Sequence, residues 1–157
     1  MKKAILERKN YPKGFSLLEL LVVLTIMGLV LAMAVPRLAA IYDRELLSEQ
    51  AYIIEEDLRW LKAQARASGE DASFKSQGDG YSLSVKKNGT TESKKRELLN
   101  ERMTISASSF GGQIIFKPRG TAYYKCTLTL RLGSQKRTVV VNNLGRVRVG
   151  VGKSDQA

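Results

Sequence analysis

Glu19 stands inside an otherwise uncharged run, from Phe15 to Val35, that reads FSLLELLVVLTIMGLVLAMAV. A carboxylate at the centre of a bilayer costs about 2.5–3.5 kcal/mol on insertion scales, and less near an end. A segment that only anchors a chain, or only directs its secretion, has no use for that cost. The carboxylate therefore calls for a cation, because an isolated charge in apolar surroundings is expensive and a paired one is tolerated. A second chemistry-bearing pattern lies near the other end, at Gly145-Arg146-Val147-Arg148. In a strand, Arg146 and Arg148 point to the same face, roughly 7 Å apart. Two guanidinium groups so placed can fork onto successive phosphates, and the backbone part of nucleic-acid binding needs only such charges. Lys136 and Arg137, just before Thr138-Val139-Val140-Val141, add two more cations across the intervening turn. The plainer reading of the same residues is a turn glycine and a solvated strand face.

Catalysis finds little to work with. The chain has no histidine, the commonest general base and metal ligand, and one cysteine, Cys126. An internal disulfide and a several-thiolate metal site are both excluded. There is no nucleophile motif and no glycine-rich phosphate loop, so no catalytic residue, no metal and no cofactor is expected, and the protein reads as not an enzyme. Cys126 alternates in phase with core-facing strand residues and reads as a small buried hydrophobe.

The 157 residues allow one modest domain beside a membrane segment. The net charge of +11 is unevenly spread. Lys2, Lys3, Arg8, Lys9 and Lys13 face only Glu7 in the first fourteen residues, and ten cations face only Glu101 and Asp155 after residue 100, while the middle is nearly neutral. The basic leader suits the cytoplasmic side of a membrane. The basic C-terminal third suits an acidic partner or a solvated surface.

These groups must be positioned by three kinds of element. The apolar run, as a helix, spans roughly 30 Å, the hydrocarbon thickness of a bilayer. It can be a signal anchor, a secretory signal peptide with Ala32-Met33-Ala34 as its cleavage site, or a segment cut on its cytoplasmic side. Glu19 favours the third, as does the helical pattern that continues past Pro36 without a loop. Beyond Pro36, Leu47, Ala51, Ile54, Leu58, Leu61 and Ala65 recur at spacings of four and three, the stripe of an amphipathic helix ending near Ser68-Gly69. That stripe packs either on the protein's own sheet, the favoured reading, or in a coiled coil. After Gly69 the period becomes two: Tyr81, Leu83 and Val85; Met103 to Ile105; Ile114 to Phe116; Tyr124 to Leu132; Val139 to Val141; and Val147 with Val149 predict five to seven antiparallel strands. Turn residues separate them, and Thr90 to Arg96, being polar, reads as a loop. The fold class is α+β: a long N-terminal helix, membrane-spanning and then amphipathic, packed on a small antiparallel β domain.

Lys13-Gly14-Phe15-Ser16-Leu17-Leu18-Glu19 resembles the cleavage and methylation motif of type IV pilins and type II secretion pseudopilins. The resemblance implies that a prepilin peptidase cuts between Gly14 and Phe15 and that Phe15 is then N-methylated. Gly14 has no side chain to obstruct a protease cleft. The new amine on Phe15 is cationic at neutral pH. Glu19, one turn away, can pair with that amine of a neighbouring subunit and so favour filament assembly in register. The organisation that follows is a leader at 1–14, a membrane and filament-core helix at 15–36, an amphipathic stalk at 37–69 and a β-rich pilin domain at 70–157.

A second resemblance covers Ile115-Phe116-Lys117-Pro118-Arg119-Gly120, Thr138 to Asn142 and Gly145-Arg146-Val147-Arg148. It is similar to the C-terminal domain of the type II secretion minor pseudopilin H and of FimT-type minor pilins, with a like layout in competence pilins. It implies a minor pilin or pseudopilin, and as the alternative a DNA receptor for natural transformation that uses Arg146, Arg148, Lys136 and Arg137. The expected partners are other pilins or pseudopilins, the prepilin peptidase, an inner-membrane assembly platform, the lipid bilayer and, on the alternative, DNA. The expected location is the inner membrane, crossed once with the C-terminal domain outside the cytoplasm, and the filament after assembly.

Overall fold

A computed structural model describes residues 16–151. One helix, α1 (Leu17–Ser68), carries the whole periodic stretch, and Pro36 lies inside it. Proline removes one backbone donor and crowds the preceding turn, yet here the helix runs on. The chain divides into two compact units, residues 1–38 and 39–157.

In the first unit the apolar side chains of α1 are not buried by any of the described residues. Leu17, Leu18, Leu20, Leu21, Ile26, Met27, Leu29 and Val30 are all exposed. The helix is long and apolar enough to cross a membrane, and none of that apolar window is buried.

The second unit has its own core. The stripe Leu47, Ala51, Ile54, Leu58, Leu61 and Ala65 is wholly buried and joins one apolar cluster with two sheets. The stripe therefore packs on the protein's own strands, each large aliphatic residue contributing about 1.5–3 kcal/mol by its burial. The first sheet has the order β3-β2-β1-β5, formed by β1 (Ala72–Ser76), β2 (Gly80–Lys87), β3 (Thr90–Glu97) and β5 (Gln113–Phe116). The second has the order β4-β6-β7-β8, formed by β4 (Thr104–Ala107), β6 (Cys126–Leu132), β7 (Gln135–Val141) and β8 (Val147–Val151). All pairings are antiparallel. Phe74, Tyr81, Leu83, Ile114 and Phe116 form the buried face of the first sheet. Leu128, Leu130, Val139, Val141 and Val147 do so in the second, where Cys126 is buried beside Ser109 with Sγ 3.4 Å from its Oγ.

Three expectations need correction. Thr90 to Arg96 is strand β3, not a loop. Its side chains are all exposed, so no apolar alternation marks it. The strand is imposed by the two-residue turn Asn88-Gly89, with φ of 52° and 78°, between the paired Lys87 and Thr90. Such a turn, with both central residues left-handed, matches the twist of an antiparallel hairpin. Tyr124 does not continue the buried alternation of Cys126, Leu128 and Leu130; it is exposed, ahead of β6. The strands number eight among the described residues and lie in two sheets, because β1 and β3 carry too few apolar residues to announce themselves.

Candidate functional site

Two places hold the residues singled out by the sequence. The first is the start of α1. Gly14 and Phe15 lie outside the described residues. Glu19 lies in the first turn of the helix, exposed, the position where a carboxylate also complements the helix dipole. From there to Pro36 no other residue of α1 is charged.

The second is the turn between β7 and β8. Asn142 organises it: its backbone N–H donates to the Arg146 carbonyl at 3.1 Å, its carbonyl accepts from the Gly145 N–H at 2.9 Å, and its Oδ1 accepts from the Arg146 N–H at 2.8 Å. Gly145 has φ of 69°, and a Cβ there would overlap the Gly120 carbonyl oxygen. Only glycine fits, both for its left-handed backbone and for this approach. Lys62, from α1, donates through Nζ to the Gly145 carbonyl at 2.9 Å and ties the turn to the helix. Arg146 comes just before β8 and Arg148 lies within it; both are exposed, with buried Val147 between them. The expected common face of the two guanidinium groups is therefore present.

The four candidate cations do not form one face. Lys136 and Arg137 are inside β7 rather than ahead of it. Val140 pairs with Arg148, and Leu130 pairs with Arg137. Strand alternation then sets Lys136 on the Arg148 side and Arg137 on the side of Val139 and Val141. What brings Arg137, Arg146 and Arg148 together is a groove of about 650 Å³ beside β8, whose other wall is Tyr52, Glu55, Arg59 and Lys62 of α1. Five cations line it against one carboxylate, and that carboxylate, Glu55, is held by Arg59 at 2.8 Å.

Sequence reading missed Arg59 and Lys62. Their spacing from Tyr52 and Glu55, three, four and three, runs one residue beside the buried stripe. That much is visible in the chain, but not that this flank meets β8. It also missed a buried ionic cluster on the other flank. Asp57 is nearly buried and accepts from Tyr81 Oη at 2.6 Å and from Arg96 Nη2 at 3.1 Å. Burial, then the hydrogen bond to Asp57 and its charge, push the Tyr81 hydroxyl far above the usual tyrosine range, while Arg96 opposes the shift. Gln50, also buried, accepts from the Leu99 N–H at 2.8 Å. These contacts fasten the segment from β3 to Leu99 onto α1. Among the described residues no group of three or more His, Cys, Asp or Glu converges as a metal site.

Comparison with the curated proteins finds no match. Among solved structures, the type IV minor pilin FimU of Pseudomonas aeruginosa is similar over 73% of this chain and 96% of its own, with 18% identity and a TM-score of 0.59. The minor pseudopilin EpsH of the Vibrio cholerae type 2 secretion system is similar over 67% of this chain and 96% of its own, with 14% identity and a TM-score of 0.53. At such identities the likeness is one of fold. Family models go further: the prokaryotic N-terminal methylation motif matches residues 9–35, and type II transport protein GspH matches residues 54–145. The GspH match takes in the α1 stripe from Ile54 onward, the first sheet, and β4, β6 and β7 of the second, so the chain belongs to the type II transport protein GspH family and is a minor pilin or pseudopilin.

Proposed function

We propose that the chain is a processed, membrane-anchored minor subunit of a type IV pilus or type II secretion-like filament, in which Glu19 pairs with the amine of a neighbouring subunit. The observation that carries this is a lone carboxylate in the first turn of α1, at the head of an apolar stretch in which the membrane-length window is wholly unburied. A helix that is apolar all round needs either lipid or other helices around it. Lipid supplies this before assembly and neighbouring subunits supply it afterwards. Glu19 needs a cation in both settings, and cleavage between Gly14 and Phe15 creates one, a turn away. Methylation of Phe15 keeps that charge. The basic leader orients the helix with its N-terminus in the cytoplasm, which puts residues 39–157 outside it. The prepilin peptidase and an inner-membrane assembly platform complete the route from membrane to filament.

The test combines processing and assembly. Mass spectrometry of protein co-produced with a prepilin peptidase should give a mature chain beginning at Phe15 and bearing a methyl group. Glu19→Gln keeps the shape and removes the charge. It should be cleaved like wild type and be lost from sheared filaments, where wild type is recovered. Equal recovery of the two would refute the pairing, and a mature chain beginning at Val35 would refute the processing.

A further inference from the structure

We propose that the groove between β8 and α1 takes an extended acidic peptide segment, paired as an added strand on the outer edge of β8. β8 ends its sheet in the order β4-β6-β7-β8, so among the described residues one of its edges has no strand beside it. Such an edge is a row of backbone donors and acceptors ready to pair with another chain. The groove is bordered by consecutive residues from Gly145 to Gly150. Successive strand residues point to opposite faces, so an unbroken run borders one groove only where the backbone edge itself forms the wall. The opposite wall is the Tyr52, Glu55, Arg59 and Lys62 stripe of α1. Lys62 occupies the Gly145 carbonyl and closes one end, so pairing begins beyond that residue.

Charge selects the occupant. Arg59, Lys62, Arg137, Arg146 and Arg148 face a single carboxylate that Arg59 already holds. Arg146 and Arg148 are two residues apart, the spacing at which alternate carboxylates on an extended segment share a face. A nucleic acid satisfies the cations but leaves the strand edge unpaired; an acidic strand satisfies both. On the filament reading above, on which the partner's identity rests, the segment belongs to a neighbouring subunit.

The probe is a fluorescent octapeptide alternating glutamate and valine, titrated by anisotropy into the full chain in detergent micelles. Controls are the same peptide N-methylated at every residue, which keeps its charge and loses its backbone donors, and single- and double-stranded oligonucleotides. The parent peptide should bind, its affinity should fall with salt, and the amides of β8 should gain protection from hydrogen exchange. N-methylation should abolish binding. Arg146→Glu with Arg148→Glu, both exposed and outside the core, should weaken it about tenfold. Equal binding of the methylated peptide, binding of oligonucleotides without the peptide, or no peptide binding would each overturn the proposal. The assay needs no filament, so its failure leaves the Glu19 test standing.

Discussion

Replacing Tyr81 by phenylalanine should change how the second unit responds to alkali. The Tyr81 ring is buried, stacked on Phe74 with centroids 4.9 Å apart, and its hydroxyl donates to Asp57 at 2.6 Å. Phenylalanine keeps the ring and removes the hydroxyl. At neutral pH the loss is a hydrogen bond to a charged acceptor, about 1.5–3 kcal/mol. Arg96 still holds the other carboxylate oxygen, at 3.1 Å, which argues for the lower part of that range. In alkali a second effect enters. The folded hydroxyl stays protonated well above the ordinary tyrosine value of 10.0, whereas the unfolded chain releases that proton from there upward. The unfolded state then binds fewer protons than the folded one, so stability falls as pH rises. From about pH 9 to about pH 11 the loss from this one group is RT ln 10, about 1.4 kcal/mol. Tyr81→Phe lacks the group and should lack that loss. Every other ionisable group is common to both proteins, so the difference isolates Tyr81. The assay is urea unfolding of residues 39–157, the unit that contains the whole described core, followed by far-UV circular dichroism across that pH range. The gap between wild type and variant should narrow by about 1.4 kcal/mol toward the alkaline end. Two parallel curves would show that the hydroxyl is not held protonated by Asp57 and burial, and the reasoning would fall.

Other outcomes follow from the same contacts. Leu58→Ala, at a fully buried position on the α1 stripe, should cost about 2–5 kcal/mol in urea unfolding, whereas Glu49→Ala on the exposed flank should stay within about 0.5 kcal/mol. Gly145→Ala must accept a left-handed backbone and displace the Gly120 carbonyl; it should lower stability by about 1–3 kcal/mol and shift the amide resonances of both Gly120 and Arg146. Gln50→Ala leaves the Leu99 N–H without its acceptor, so exchange at that amide should quicken while exchange in β6 changes less. In filament assays, Glu19→Gln should separate cleavage from assembly as described above.

The helical part of the fold was legible in the chain. A stripe at spacings of four and three can bury only one side of a helix, and each of its six residues is fully buried. The apolar run with its single charge was equally plain, because no soluble packing would leave so many leucines and valines together. Strands with one apolar face, such as β2 and β6, announced themselves by alternation. β3 did not: its eight residues are all exposed, and its strand character comes from the turn before it and the partner beside it. In the candidate site, Arg146 and Arg148 could be placed on one face from their spacing alone. Lys136 and Arg137 could not be assigned, since neighbouring strand residues part to opposite faces and only the register of β7 says which goes where.

Local patterns thus carried what depends on one element at a time: the helix, its buried stripe, the lone carboxylate and the paired arginines. What required the folded chain is everything set by two elements meeting. The division into two sheets, the burial of Asp57 under Tyr81 and Arg96, and the groove that brings Arg59 and Lys62 to β8 are of this kind. The reason is physical. Periodicity records which side of an element is dry, while long-range register and the approach of Lys62 to Gly145, 83 residues apart, depend on how those dry sides come together.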